Sequence, residues 1–204
     1  MRALLRALHK PVYATRQRIL VQRILAHVRA NDRLLDVGCG SGLLGAAIAG
    51  HPACPAGVRA EGLERYPRGG EPIPVTAYPG GRFPFDDNTF DVVIIADVLH
   101  HEPDPDALLR ECARVTRRTL IIKDHQVHGL LAQQRISLID WAANAGYSVK
   151  CLFAYNTPEQ WGAVPARLGM KTVEHPPGMD LYPLGLNWIF AGGIQYFAVL
   201  EKPA

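Results

Sequence analysis

The sequence predicts an α/β fold built on a doubly wound, mostly parallel sheet, and three observations support this. Short apolar runs at 33–37, 91–96 and 119–122 suit buried parallel strands. Helical patterns separate these runs, as in successive βαβ units. Two later strand-like runs, at 170–174 and 194–200, lie on either side of a long loop. Such an ending favours a last strand that is antiparallel.

Length and composition indicate one soluble globular domain. The chain has 204 residues, of which 48% are hydrophobic and 20% charged. Its net charge of +3 is too small to indicate nucleic-acid binding by itself. The four cysteines show no metal or redox spacing, and no run approaches the ~18 apolar residues of a membrane span. Reduced cysteines and a cytoplasmic location are therefore expected.

Residues 32–42 form the most informative stretch. A short apolar run ends in Gly38, Gly40 and Gly42, and a helical pattern follows at once. Alternating glycines let a ligand lie against bare backbone, and a helix N-terminus suits its polar groups. The stretch fits two signatures. The pattern GxGxxG at 40–45 is that of dinucleotide sites, while Asp36 with the three glycines is typical of class I S-adenosyl-L-methionine (SAM) methyltransferases.

The Asp36 carboxylate favours SAM, because it suits the ammonium of an amino-acid ligand and would repel a pyrophosphate. An NAD-dependent oxidoreductase that uses the GxGxxG pattern stays open as the alternative. At the end of the second predicted strand, 58–64, Glu64 follows the glycines at the distance where a ribose diol finds its acceptor.

Titratable residues follow two further strands, where they should lie over the ligand crevice. For an acidic nucleophile we expect His125 to act as general base with Asp124 beside it, and His101 is the other catalytic candidate. Asp97, Asp124 and His125 could in principle hold a divalent metal, but their spacing does not require one and no metal is predicted.

With these motifs in place, about residues 30–125 resemble the class I SAM-dependent methyltransferases, specifically the type-11 methyltransferase-domain group that includes quinone-biosynthesis enzymes. The resemblance rests on 35–42, on the block FPFDDNTFD at 83–91, and on DVLHH at 97–101. It implies a three-layer Rossmann-like sheet of seven strands in the order 3-2-1-4-5-7-6, with strand 7 antiparallel. It also implies SAM as cofactor and S-adenosylhomocysteine as product.

The resemblance further implies roles for individual residues. Glu64 would bind the ribose hydroxyls. The group usually has an acid after strand 3 that meets adenine, and 75–79 has none, so adenine contact falls to backbone, Tyr78 or Phe85. The residues expected around the methionyl part are Asp36, Gly38, Cys39, Gly40 and Gly42 in the turn, with Ala96, Asp97 and Val98 beneath it.

The chain is expected to form a single methyltransferase domain, 1–204. An N-terminal helical cap at 1–31, with helices 2–10 and 15–30 separated by Pro11, holds seven basic residues and no acid. A SAM-binding core follows at 32–125, and the substrate-side part is 126–204. Peripheral membrane contact through the basic cap is possible but not expected.

The sequence thus predicts methyl transfer to a small, apolar or aromatic metabolite. No nucleic-acid partner is expected, since the basic patch lacks interleaved aromatics and no Asn-Pro-Pro-Tyr-like tetrapeptide occurs. A non-catalytic SAM-binding or membrane-surface protein is a further alternative. The acceptor atom and the oligomeric state stay open. Aromatic candidates for the pocket wall are Trp141, Tyr147, Phe153, Tyr155, Trp161, Tyr182, Trp188 and Phe190.

Overall fold

A seven-stranded sheet forms the centre of the computed structural model, which describes residues 2–144, 152–181, 187 and 193–203. The strands are β1 Arg33–Val37, β2 Arg59–Glu64, β3 Val75–Ala77, β4 Phe90–Ala96, β5 Thr116–His125, β6 Lys171–Glu174 and β7 Gln195–Glu201. Their order is β3-β2-β1-β4-β5-β7-β6. Neighbouring strands are parallel except at β7, which runs antiparallel to β5 and β6. The predicted fold is confirmed.

Helices cover the sheet, and the sequence predicts the start of two of them from the N-cap residues Asp104 and Thr157. Asp104 caps its helix by accepting from the Ala107 N–H at 2.9 Å, and Thr157 and Gln160 form a capping box. The described helices are α1 Arg2–Leu25, α2 Leu43–Ala49, α3 Pro105–Val115, α4 Ala132–Asn144, α5 Pro158–Gly162 and α6 Val164–Leu168, with a 3₁₀ turn at Leu99–His101. Among them, none is long and apolar enough to cross a bilayer.

Three helix predictions were wrong. The helix at the N-terminus is continuous through Pro11, because a proline removes one hydrogen bond without necessarily ending a helix. The sequence also predicts one helix from Thr157 to about Leu168. This helix breaks at Ala163 instead, because Pro165 in the first turn of α6 has no N–H with which to continue the hydrogen bonds of α5. The sequence also predicts a helix over 128–145 with Leu130 and Leu131 toward the sheet. The helix begins at Ala132 instead, and these two side chains are 84% and 59% exposed.

Two apolar cores lie on opposite faces of the sheet and explain why β1 and β4 read as continuous apolar runs. On one face, Leu35, Val93 and Ile95 pack with Leu109 and Cys112 of α3. On the other face, Leu34, Val92 and Ile94 of the same strands pack with helices α1 and α2. The helix residues in contact are Leu20 and Ile24 of α1 and Ile48 of α2. Because β1, β2, β4 and β5 are parallel, their carboxyl ends meet at one edge of the sheet.

Candidate functional site

The glycine turn leaves β1 at this edge and has open space on one side. Gly38, Gly40 and Gly42 have φ angles of +68°, +55° and +70°, which other residues rarely adopt. A Cβ on Gly38 would lie 2.5 Å from the Val98 side chain, so this glycine lets the turn pack on the segment after β4. A Cβ on Gly40 would meet nothing closer than Arg68, at 4.0 Å. The backbone at Gly40 is therefore bare enough for a ligand to lie on it.

Asp36 is buried beneath this turn with part of its carboxylate unused. It accepts the backbone N–H of Gly45, while its Oδ2 has no hydrogen-bond partner among the described residues. Burial, together with the charge of Glu64, raises the pKa of Asp36 to about 7 against the opposing effect of the Gly45 bond. An ammonium group placed here would supply the missing partner.

Glu64 reaches back from the end of β2 to the turn. Its Oε2 accepts the Gly40 N–H at 2.8 Å, and its Oε1 accepts the N–H groups of Arg65 at 2.8 Å and Tyr66 at 3.2 Å. The carboxylate thus stands beside the bare backbone of Gly40. A ribose hydroxyl would compete with the Gly40 N–H for Oε2.

Cys39 packs under the turn against β2. A Cβ on Gly62 would lie 2.5 Å from the Cys39 sulfur, so the glycine makes room for the thiol. Burial, with the charges of Asp36, Glu64 and Glu71, raises the pKa of Cys39 to about 12. The side chain is therefore a neutral packing group, and a ligand would meet its backbone.

The structure contradicts Phe85 as a cofactor residue. Its ring packs edge-on against Phe90, at 4.9 Å between centroids, and its carbonyl accepts a bond from Arg114. Phe90 begins β4 and Arg114 lies near the end of α3, so Phe85 sits at the sheet edge opposite the glycine turn. Tyr78 does follow β3, but its ring is buried against Phe83.

The residues after β4 join the site to the N-terminal helix. Ala96 ends the strand, Val98 touches the glycine turn, and Asp97 has a left-handed φ of 56°. The Asp97 carboxylate pairs with Lys123 Nζ of β5 and with the Arg16 guanidinium of α1. Sequence reasoning missed Arg16 as a site residue, and its one signal was its position beside the apolar stripe of α1.

Asp124 is fully enclosed and holds other groups in place. It accepts bonds from His100 Nδ1 at 2.5 Å, from the Leu99 N–H at 3.0 Å and from the His125 N–H at 2.6 Å. Burial opposes its ionisation, but these donors lower its pKa to about 2. The catalytic role of Asp124 stays a prediction, and its three donors favour a role in positioning His100 and His125.

His100 and His101 lie against a carboxylate from α4 that sequence reasoning also missed. The Nε2 atoms of both histidines are 3.7 Å from Asp140 Oδ1, and Tyr155 donates to Asp140 Oδ2 at 2.9 Å. Burial would lower the pKa of His100, but Asp124 and Asp140 outweigh it and raise the pKa to about 9. The available signal was weak: Asp140 lies one turn after the buried Ile136.

His125 is the neutral member of the cluster. Burial, reinforced by the neighbouring Lys123, lowers its pKa well below the usual range. Its Nε2 is 3.8 Å from Asp97 Oδ1, and its Nδ1 has no hydrogen-bond partner among the described residues. The side chains of His100 and His125 are 4% and 7% exposed, whereas His101 is 19% exposed. His101 is thus the solvent-facing histidine of the cluster.

Of the expected aromatic wall, four candidates lie in the described part of the chain, and one of them borders the histidine cluster. Tyr155 lies against His100 and His125, with ring centroids 5.6 and 6.0 Å apart. Trp161 is core instead: it stacks on Tyr196 and donates to the His125 carbonyl. Trp141 and Phe153 are 59% and 40% exposed. The remaining aromatic candidates, Tyr147, Tyr182, Trp188 and Phe190, lie outside the described residues.

Comparisons with known proteins agree with this geometry. A family model described as a methyltransferase domain matches residues 35–121. An uncharacterised methyltransferase of Schizosaccharomyces pombe is 36% identical over 109 residues, which are 46% of this chain and 39% of the relative. The ubiquinone biosynthesis O-methyltransferase of Thiobacillus denitrificans is 31% identical over 104 residues, 43% of this chain and 41% of the relative. The chain thus matches about two fifths of the length of these relatives.

Among solved structures, the fold matches a complex between the Haloferax volcanii Trm112 methyltransferase activator and a methyltransferase. The TM-score is 0.69 and the identity 16%, with 99% of this chain and 95% of that chain covered. At this identity the likeness concerns the fold alone. The matched domain spans the glycine turn and the strands that hold it, so this part of the chain resembles SAM-dependent methyltransferases in sequence as well as in fold.

Proposed function

We propose that this protein transfers the methyl group of SAM to a small, apolar or aromatic acceptor. The observation that carries the proposal is the unpartnered Oδ2 of buried Asp36 beneath an open glycine turn, at the same sheet edge as a cluster of histidines. SAM would supply the ammonium that Asp36 lacks. The family match favours this ligand over NAD, and Gly45, the last glycine of the dinucleotide pattern, is instead explained by packing against Ile73.

The residues around the turn fit the parts of SAM. Asp36 would hold the ammonium, the backbone at Gly40 would lie against the methionyl chain, and Glu64 would exchange its bond with Gly40 for the ribose hydroxyls. Of the three predicted adenine contacts, Phe85 lies at the opposite edge and the Tyr78 ring is buried. We therefore assign the adenine contact to backbone groups after β3.

Methyl transfer from a sulfonium is an in-line displacement, so alignment of donor and acceptor supplies much of the rate. An acceptor that loses a proton also gains from a nearby base. We assign that role to His125, because its ring is neutral and its Nδ1 is free to accept within the described part of the chain. A weak base of this kind suits an acceptor whose own proton is acidic.

The N-terminal helix supports the cap interpretation rather than a membrane-surface role. Arg16 pairs with Asp97 in the site, and Arg23 pairs with Glu174 at 2.7 Å. Both arginine side chains thus form ion pairs within the protein. The described cysteines Cys39, Cys54 and Cys112 are free thiols, which supports a cytoplasmic location.

Two measurements test the proposal. Isothermal titration should detect binding of SAM and S-adenosylhomocysteine but not of NAD, and radiolabelled SAM should transfer its methyl group to one or more members of a panel of phenols, quinols, indoles and thiols. Gly40→Ala should abolish SAM binding. Gly129→Ala is the matched control, because Gly129 also has a positive φ and open surroundings but lies away from the turn. Binding of NAD alone would refute the proposal.

A further inference from the structure

The side chains of His100, His101 and Asp140 converge at the carboxyl ends of the strands. Both histidine Nε2 atoms lie 3.7 Å from the same Asp140 oxygen, which is too long for a hydrogen bond. The candidate ligand atoms of the three residues all lie within 4.8 Å of one another. Bonds of about 2.0–2.1 Å to a tetrahedral ion would place neighbouring ligand atoms about 3.3 Å apart, so a small contraction would complete such a site.

Hydrogen bonds to residues outside the cluster already orient two of its three side chains. His100 bonds through Nδ1 to Asp124 at 2.5 Å, which turns its Nε2 toward Asp140. Tyr155 donates to Asp140 Oδ2 at 2.9 Å, which leaves Oδ1 facing the two imidazoles. Metal-binding histidines typically have such a carboxylate on the other ring nitrogen.

The donor set and its exposure indicate the class of ion and the kind of site. Two imidazole nitrogens and one carboxylate suit Zn²⁺ and similar transition metals rather than Mg²⁺, which prefers oxygen ligands. Three protein ligands leave one position open, as in catalytic zinc sites. The side chain of His101 is 19% exposed, against 4% for His100, so the open position would face the acceptor side.

We propose that His100, His101 and Asp140 form a binding site for a divalent transition metal of the Zn²⁺ type, with an open coordination position. Metal binding itself does not depend on the proposed function. The role of the open coordination position, however, rests on the proposed function. If the methyl acceptor binds the metal there through a hydroxyl, that hydroxyl would lose its proton more easily. The proton would pass to His125 Nδ1, the oxygen would take the methyl group, and S-adenosylhomocysteine would leave.

Zinc titration of untagged, chelator-treated protein tests this inference. The wild type should bind one equivalent of Zn²⁺ and no Mg²⁺, and Co²⁺ in its place should give the absorption bands of a low-coordinate site. His101→Ala should weaken Zn²⁺ binding by about 100-fold or more, and Tyr155→Phe by about 10-fold. His128→Ala is the control, because His128 is an exposed histidine outside the cluster.

The affinity for S-adenosylhomocysteine, measured on the same proteins, separates the two proposals and reports whether each variant folds. Unchanged S-adenosylhomocysteine binding with lost Zn²⁺ binding in His101→Ala supports the metal site. A wild type that binds S-adenosylhomocysteine but no stoichiometric Zn²⁺ overturns the metal site and leaves the proposed function intact. Zn²⁺ binding that His101→Ala does not weaken also overturns it.

Discussion

Replacing Asp36 with asparagine should stabilise the ligand-free protein while lowering its affinity for SAM. The pKa of Asp36 rises from 3.8 to about 7, mainly because the carboxylate is buried. The native state therefore binds this proton more tightly than the unfolded chain does. Below pH 3.8 the carboxyl is protonated in both states and costs nothing. The cost of ionising it grows above that pH and is complete above pH 7, at roughly 4 kcal/mol.

Asparagine is neutral and similar in shape, so Asp36→Asn removes this cost but adds amide N–H groups that need partners. An unsatisfied donor costs about 1–3 kcal/mol at either pH, so we expect a net gain of about 1–3 kcal/mol at pH 8 and a net loss of about 0.5–2.5 kcal/mol at pH 4. Urea unfolding at the two pH values measures it. Asp32→Asn is the matched control: Asp32 is equally buried but accepts from Arg118 at 2.6 Å and from the Arg29 N–H at 2.7 Å. The Asp32→Asn variant should be less stable than the wild type.

Ligand affinity should move in the opposite direction. A charge-assisted hydrogen bond contributes about 1.5–3 kcal/mol, so Asp36→Asn should bind SAM about 10- to 100-fold more weakly at pH 8. Wild-type affinity should fall below pH 7 as Asp36 takes up its proton, and the variant should lack this dependence. Titration calorimetry from pH 5 to 8 measures both. A variant that is destabilised like Asp32→Asn and binds SAM like the wild type would refute the reasoning.

Three further predictions concern packing, the base and the cap. Gly62→Ala should cost about 1–3 kcal/mol in urea unfolding, because its Cβ would lie 2.5 Å from the Cys39 sulfur; adding Cys39→Ala should recover most of the loss, and no recovery would mean that the clash lies elsewhere. His125→Ala should lower kcat strongly while SAM affinity holds, and an unchanged kcat in the methyl-transfer assay would remove His125 as the base. Arg16→Ala should cost about 1 kcal/mol of stability, since its pair with Asp97 is partly exposed; equal unfolding midpoints would show that the helix does not depend on this pair.

Local signals in the sequence were enough for the fold and for the cofactor turn. The glycines at 38, 40 and 42 are required by the positive φ angles of the turn itself. Asp104 and Thr157 start their helices through bonds made within three residues, and β4 reads as a continuous apolar run because both of its faces are covered. Each of these features depends on neighbours in sequence or on burial alone, so each could be predicted.

Contacts between distant segments were decided only by the tertiary structure. Phe85 looked like a ligand contact, but the block at 83–91 enters β4 at its amino end and carries the ring away from the site. Asp140 reaches His100 from α4, and Arg16 reaches Asp97 from α1. No periodicity or spacing encodes which charge of one helix meets which side chain of a strand end, because that depends on how the elements pack across the sheet edge. The sequence alone therefore predicted the turn at which we propose that the methyl donor binds, whereas tertiary packing determined which side chains lie beside it.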